Sequence, residues 1–218
     1  MWEDFYRSNR DLRQPSPFAL DVRLWLDNQI KVDPKYCVVI DIGAGSGRDS
    51  CFFLREGFHV LAIDSSQLAL ELIKNFAETE KSINRLLTLQ MRFDHKDVSL
   101  TVEKSFPSIK SKIRIFYNRF FLHAITKMEQ DVFFDWIENN CCNGSLFASE
   151  YRVQSAGDEY YFFDNHYRRL LVHTELLTML RQDSFEVLDE HVGRDLARFH
   201  DENPLIGRVF AKRTKDAD

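Results

Sequence analysis

Asp41, Gly43, Gly45 and Gly47 stand at alternate positions directly after an apolar run, Val38-Val39-Ile40. A second apolar run, His59-Val60-Leu61-Ala62-Ile63, ends in another acid, Asp64. Glycines at a strand end let backbone approach a ligand closely, because no Cβ stands in the way. A carboxylate at the tip of the next strand can accept hydrogen bonds from both hydroxyls of a ribose. Together these residues point to a cofactor that contains a nucleoside.

The elements that must position them follow from periodicity. Residues 1–35 read as a helical preface: Pro15-Ser16-Pro17 is a turn, and Phe18, Val22, Trp25, Leu26 and Ile30 recur at helical spacing. Residues 37–42 form a first strand, 47–56 a helix and 58–63 a second strand. Ser65-Ser66 then cap a helix through Glu80. A third strand covers 86–93 and ends at Asp94, and a fourth covers 113–117. A helix follows over 128–140, then a fifth strand over 145–151, an irregular insertion over 153–169 and a helix over 173–182 capped by Thr174. Two last strands, 185–192 and 207–213, pair as a hairpin. Strand–helix alternation of this kind implies an α/β fold with a mainly parallel sheet between two helical layers, which binds ligands at the carboxyl ends of its strands. We expect one domain over residues 1–218.

Composition narrows the partners. The formal net charge is -5, which argues against a nucleic-acid partner, since phosphate binding needs a basic face. Local basic clusters (Lys110, Lys112, Arg114; Arg168, Arg169) still suit a small anionic substrate. Phenylalanine occurs 19 times, as expected of an aromatic-rich core. Cys37, Cys51, Cys141 and Cys142 form no C-x-x-C pair, so no metal site is expected. Reduced thiols, an N-terminus unlike a signal peptide and no apolar run of membrane-spanning length lead us to expect a cytoplasmic protein.

A nicotinamide-binding fingerprint begun at Gly43 needs its third glycine at position 48, where Arg48 stands. The pattern D-x-G-x-G-x-G, with Asp64 at the next strand's tip, instead resembles class I S-adenosylmethionine-dependent methyltransferases, over roughly residues 36–152. The flanking runs Gly47-Arg48-Asp49-Ser50 and Tyr117-Asn118-Arg119-Phe120-Phe121-Leu122-His123 resemble a bacterial subgroup of small methyltransferases. The resemblance implies a Rossmann-like α/β/α sandwich with a seven-stranded sheet and an antiparallel C-terminal strand. It implies S-adenosyl-L-methionine as cofactor, with Gly43, Gly45 and Gly47 forming the turn against which its methionyl and ribose parts lie. Asp41 would order that loop or meet the methionyl amino group. Asp64 would hold the ribose hydroxyls, Ser65 would lie beside the adenine, and Phe93 and Asp94 would meet the adenine ring and amine. Asn118 and Arg119 would stand next to the reactive methyl.

His123, after the fourth strand, is the leading candidate for a general base, and His166 in the insertion is the second. Arg119, Arg152, Arg168 and Arg169 have the forked donors that clamp an anionic acceptor. Glu150 is expected to pair with an arginine, and Asp49 to complement a helix dipole. The expected activity is methyl transfer to oxygen or nitrogen of a small-molecule or glycan-precursor acceptor. Two alternatives are a catalytically silent S-adenosylmethionine-binding regulatory module and an RNA methyltransferase. The Asn-Pro-Pro-Tyr type motif used on exocyclic base amines is missing after the fourth strand.

Overall fold

Cys37, Val38, Val39, Ile40 and Ile42 have no exposed surface, and this apolar run forms β1 (Cys37–Ile42) at the centre of a sheet. The computed structural model describes residues 14–94, 113–154, 162–163, 166–167, 169–198 and 202–215. Contacts divide the chain into two compact units. Among the described residues, one unit runs to Arg92 and includes 113–117, and the other holds Phe93, Asp94 and everything from Asn118 onward.

In the first unit, β1 is followed by α2 (Arg48–Arg55), β2 (His59–Asp64), α3 (Gln67–Thr79) and β3 (Leu86–Gln90). β2 pairs parallel with β1 and with β3, in the registers Ile42↔Ile63 and Asp64↔Gln90. The third strand is therefore shorter than its hydrophobic pattern suggests. It stops at Gln90 because β2, its partner, stops at Asp64, and Phe93 and Asp94 lie beyond it. The preface forms α1 (Pro17–Trp25) and continues as a π-helical turn, Leu26–Ile30. Pro17 opens α1 and the Ser16 hydroxyl caps it by accepting from Ala19 N–H (3.0 Å). The buried face of α1 carries Phe18, which stacks on Tyr117 at 5.3 Å. Phe53 of α2 packs edge-on against the same Tyr117 ring at 5.2 Å.

β4 (Ile113–Arg119) contributes its first five residues to the first unit and its last two to the second. The second unit continues with α4 (Lys127–Asn140), β5 (Leu146–Arg152), the short pair β6 (Phe162–Phe163) and β7 (His166–Tyr167), α5 (His173–Gln182), β8 (Phe185–Gly193) and β9 (Ile206–Arg213). β9 runs antiparallel to both β5 and β8, which is the expected terminal hairpin. The hydrogen-bonded order of the seven strands is β3-β2-β1-β4-β5-β9-β8. Two readings need correction. The insertion is not wholly irregular, since β6 and β7 pair antiparallel within it. Thr174 does not cap α5: the helix starts at His173 without a side-chain cap. Its start follows instead from backbone pairing, because Leu171 is bridged to Val153 and stays extended.

Candidate functional site

The first unit carries the glycine bend. Gly43, Gly45 and Gly47 all have positive φ (71°, 57° and 84°), a region that side-chain-bearing residues reach only with strain. Gly43 and Ala44 N–H both donate to Ile63 C=O, at 2.9 and 3.0 Å, which ties the bend to the end of β2. Asp64 closes the same loop from its other side. Its Oδ2 accepts from Gly45 N–H and its Oδ1 from Ser66 N–H, each at 2.8 Å. Burial pushes its carboxyl up, and these backbone donors oppose the shift. Each oxygen retains a second lone pair. Ser65 is exposed beside it.

Asp41 is buried and accepts from Ser50 Oγ at 2.5 Å, so it joins β1 to the first turn of α2. Burial pushes its carboxyl up to about 7. Gly47 serves packing more directly than ligand approach. A Cβ built there would sit 2.2 Å from Ile73 Cγ1 of α3.

Asp49 has a role that sequence reasoning missed. Its Oδ1 accepts from Ser16 N–H, and its Oδ2 from Ser16 Oγ and Tyr117 Oη, all at 2.7 Å. One carboxylate thus fastens the start of α1 to α2 and β4. Only the fold brings positions 16, 49 and 117 together, so dipole complementarity was all the local sequence offered.

The second unit holds the remaining candidates. Asn118 is fully buried; its Oδ1 accepts from Ser149 Oγ at 2.6 Å, and its Nδ2 has no acceptor among the described residues. Phe120, directly after β4, adopts φ 58°, an uncommon state for a bulky residue and a local strain of about 1–3 kcal/mol. Its N–H donates to Glu150 C=O at 2.8 Å. The turn places its ring under the Arg119 guanidinium (4.4 Å) and against the His123 ring (5.3 Å). Phe120 is a second residue the sequence did not reveal.

Glu150 pairs with two arginines. Its Oε1 accepts from Arg119 Nε at 2.8 Å, and its Oε2 from Arg208 Nε at 2.7 Å and Nη2 at 2.6 Å. Burial raises its carboxyl while both arginines oppose the rise. His123 is buried, and its Nδ1 accepts a long bond from Arg152 N–H (3.4 Å).

Phe93 is 4% exposed and packs edge-to-face with Phe121, Phe133 and Trp136, at 5.3–5.6 Å. It is a core ring rather than the open adenine platform expected. Asp94 is half-buried beside it. His166 lies in β7, with its backbone paired to Phe163. Arg168 lies outside the described residues.

The fold is that of the class I S-adenosylmethionine-dependent methyltransferases, the class whose motif the glycine bend resembles. Within that class, the family described as tellurite resistance protein TehB matches residues 26–131. The solved structure of TehB from Haemophilus influenzae is 13% identical, covers 98% of this chain and 67% of its own, and superposes with a TM-score of 0.68. The 1,6-didemethyltoxoflavin-N1-methyltransferase of Burkholderia thailandensis, solved with 1,6-didemethyltoxoflavin and S-adenosylhomocysteine, is 18% identical. It covers 98% of this chain and 87% of its own, with a TM-score of 0.67. The glycopeptide N-methyltransferase MtfA is 13% identical, covers 93% and 98%, and has a TM-score of 0.66; it has also been solved with S-adenosyl-L-methionine. No curated protein sequence matches the chain significantly. Among the described residues, no helix is long and apolar enough to cross a membrane.

Proposed function

We propose that this protein transfers a methyl group from S-adenosyl-L-methionine to oxygen or nitrogen of a small-molecule or glycan-precursor acceptor. The observation that carries the reading is the bend Gly43–Gly47: three glycines of positive φ, braced by a strand-tip carboxylate, Asp64. Residues of this kind fit the proposed cofactor. Side-chain-free backbone admits its sugar and methionyl parts, and Asp64 keeps lone pairs for ribose hydroxyls.

Bound there, the cofactor supplies an electrophilic methyl whose leaving thioether is neutral, so no acid is required. What remains for the chain is alignment, which contributes about 7–11 kcal/mol in the best intramolecular cases. Asp41 and Asp64 hold the loop in shape. Asn118 has a buried amide N–H, without an acceptor among the described residues, that could serve the cofactor or acceptor. His123 is the candidate general base for a protonated acceptor, and His166 is the second candidate. Ser65 flanks the adenine, and Asp94 meets its amine.

Titration with S-adenosylhomocysteine by calorimetry tests the reading. We expect binding in the wild-type protein and at least about a tenfold loss in Asp64→Ala, the size of one lost hydrogen bond to a charged group. Absence of binding to the wild-type protein, or undiminished affinity in the variant, removes the ribose assignment. NADH added in the same cell should produce no heat.

A further inference from the structure

We propose that the acceptor is an anion, a carboxylate or phosphate monoester, whose charge is received by Arg169; the inference rests on the methyl-transfer reading. The four arginines near the ends of β4 and β5 look equivalent in sequence, but the structure sorts those it describes. Arg152 is neutralised by Glu202, which accepts from its Nη2 at 2.5 Å. Arg119 and Arg208 share the carboxylate of Glu150. Arg119 gives Glu150 only its Nε, which leaves both of its terminal nitrogens as donors.

Arg169 stands differently. Its Nη2 donates to the neutral amide oxygen of Gln130, and its buried Nε has no acceptor among the described residues. Among the described residues no carboxylate pairs with it. A buried guanidinium donor left unmet is destabilising, by the size of a lost charge-assisted hydrogen bond. Nε and Nη2 lie on one edge of the guanidinium and form a fork that fits two oxygens of a carboxylate or phosphate.

A continuous set of contacts places Arg169 with the other candidates in the second unit. Its N–H donates to His123 C=O at 2.8 Å. The His123 ring meets Phe120, and Phe120 carries the Arg119 guanidinium. Among the described residues, then, the unmet capacity of this group is the positive fork of Arg169. A ligand that supplies acceptors and negative charge completes it, whereas a neutral amide-bearing ligand does not.

The test uses benzoate, phenyl phosphate and benzamide as probes, titrated into the protein with and without S-adenosylhomocysteine and followed by two-dimensional NMR. We expect at least one anion to bind about 10–100-fold more tightly than benzamide, and this preference to vanish in Arg169→Gln. Arg169→Lys should restore part of it, because charge returns without the fork. Benzoate and phenyl phosphate decide between a carboxylate and a phosphate. S-adenosylhomocysteine affinity, measured on each variant, should stay within about twofold of wild type, which shows that the fold survives. Equal binding of benzamide and both anions, or an undiminished preference in Arg169→Gln, overturns the proposal. Anion preference without S-adenosylhomocysteine binding would leave the anion site standing and remove methyl transfer. The reverse result would remove only the anion site.

Discussion

Asp64 spends one lone pair of each oxygen on backbone donors, from Gly45 and Ser66, before any ligand arrives. The residue proposed to bind ribose is therefore also a brace for the bend that would receive it, and a single substitution removes both. His123 shows the converse, since a buried ring whose Nδ1 faces Arg152 N–H is oriented by its surroundings for one task. We expect His123→Ala to lower kcat by about 10²-fold, the lower end of the effect of a placed proton-handling group. S-adenosylhomocysteine affinity by calorimetry should remain within about twofold. Full turnover in that variant with a true acceptor would show that His123 only packs.

At the scale of elements, two junctions hold the first unit's layers. Asp49 anchors the start of α1 through three donors, each of the charge-assisted kind. Asp49→Ala leaves Tyr117 Oη and the Ser16 groups without their acceptor, so we expect a loss of about 2–4 kcal/mol in urea unfolding. Early proteolytic cleavage near α1 should accompany it. Gly47 governs the second junction. Gly47→Ala drives a methyl into Ile73 and demands a strained φ, and we expect about 2–3 kcal/mol of destabilisation by the same measurement. Unchanged unfolding of Gly47→Ala would mean that α3 yields freely. In the second unit, the Thr126 and Glu129 capping box starts α4, so Thr126→Ala should cost about 1 kcal/mol.

Across the whole molecule, buried acids set the pH response. Asp41, Asp64, Glu150 and Asp183 all have carboxyls raised by burial. An acid raised in the folded state holds its proton more tightly there than in the unfolded chain. Its stabilising contribution is full below the unfolded pKa, near 4, and is lost as pH rises through the folded value. For Asp41 that upper bound is about 7. The thermal midpoint of the ligand-free protein should therefore fall as pH rises from about 5 to about 8, and Asp41→Asn should flatten part of that slope. A midpoint that climbs over this interval would contradict the burial of these carboxyls. The basic groups show the same dependence on tertiary surroundings: Glu150 pairs with Arg119 and Arg208 and Glu202 with Arg152, whereas among the described residues no carboxylate pairs with Arg169.

The amino-acid order by itself determined the strand–helix alternation, the glycine bend and the acid at the tip of β2. These are short-range patterns: apolar periodicity, glycine at strand ends, and a strand's length in apolar residues. Only the tertiary structure decided what each side chain faces. It moved Phe93 from an imagined adenine platform into a ring cluster with Phe121, Phe133 and Trp136, and ended β3 at Gln90 where its partner ended. It gave Asp49 partners at positions 16 and 117, which no local window connects. It also set Phe120 in a left-handed turn beneath Arg119. Hydrogen-bond partners and counter-charges depend on distances across the fold, and those distances are settled by packing rather than by neighbours in the chain.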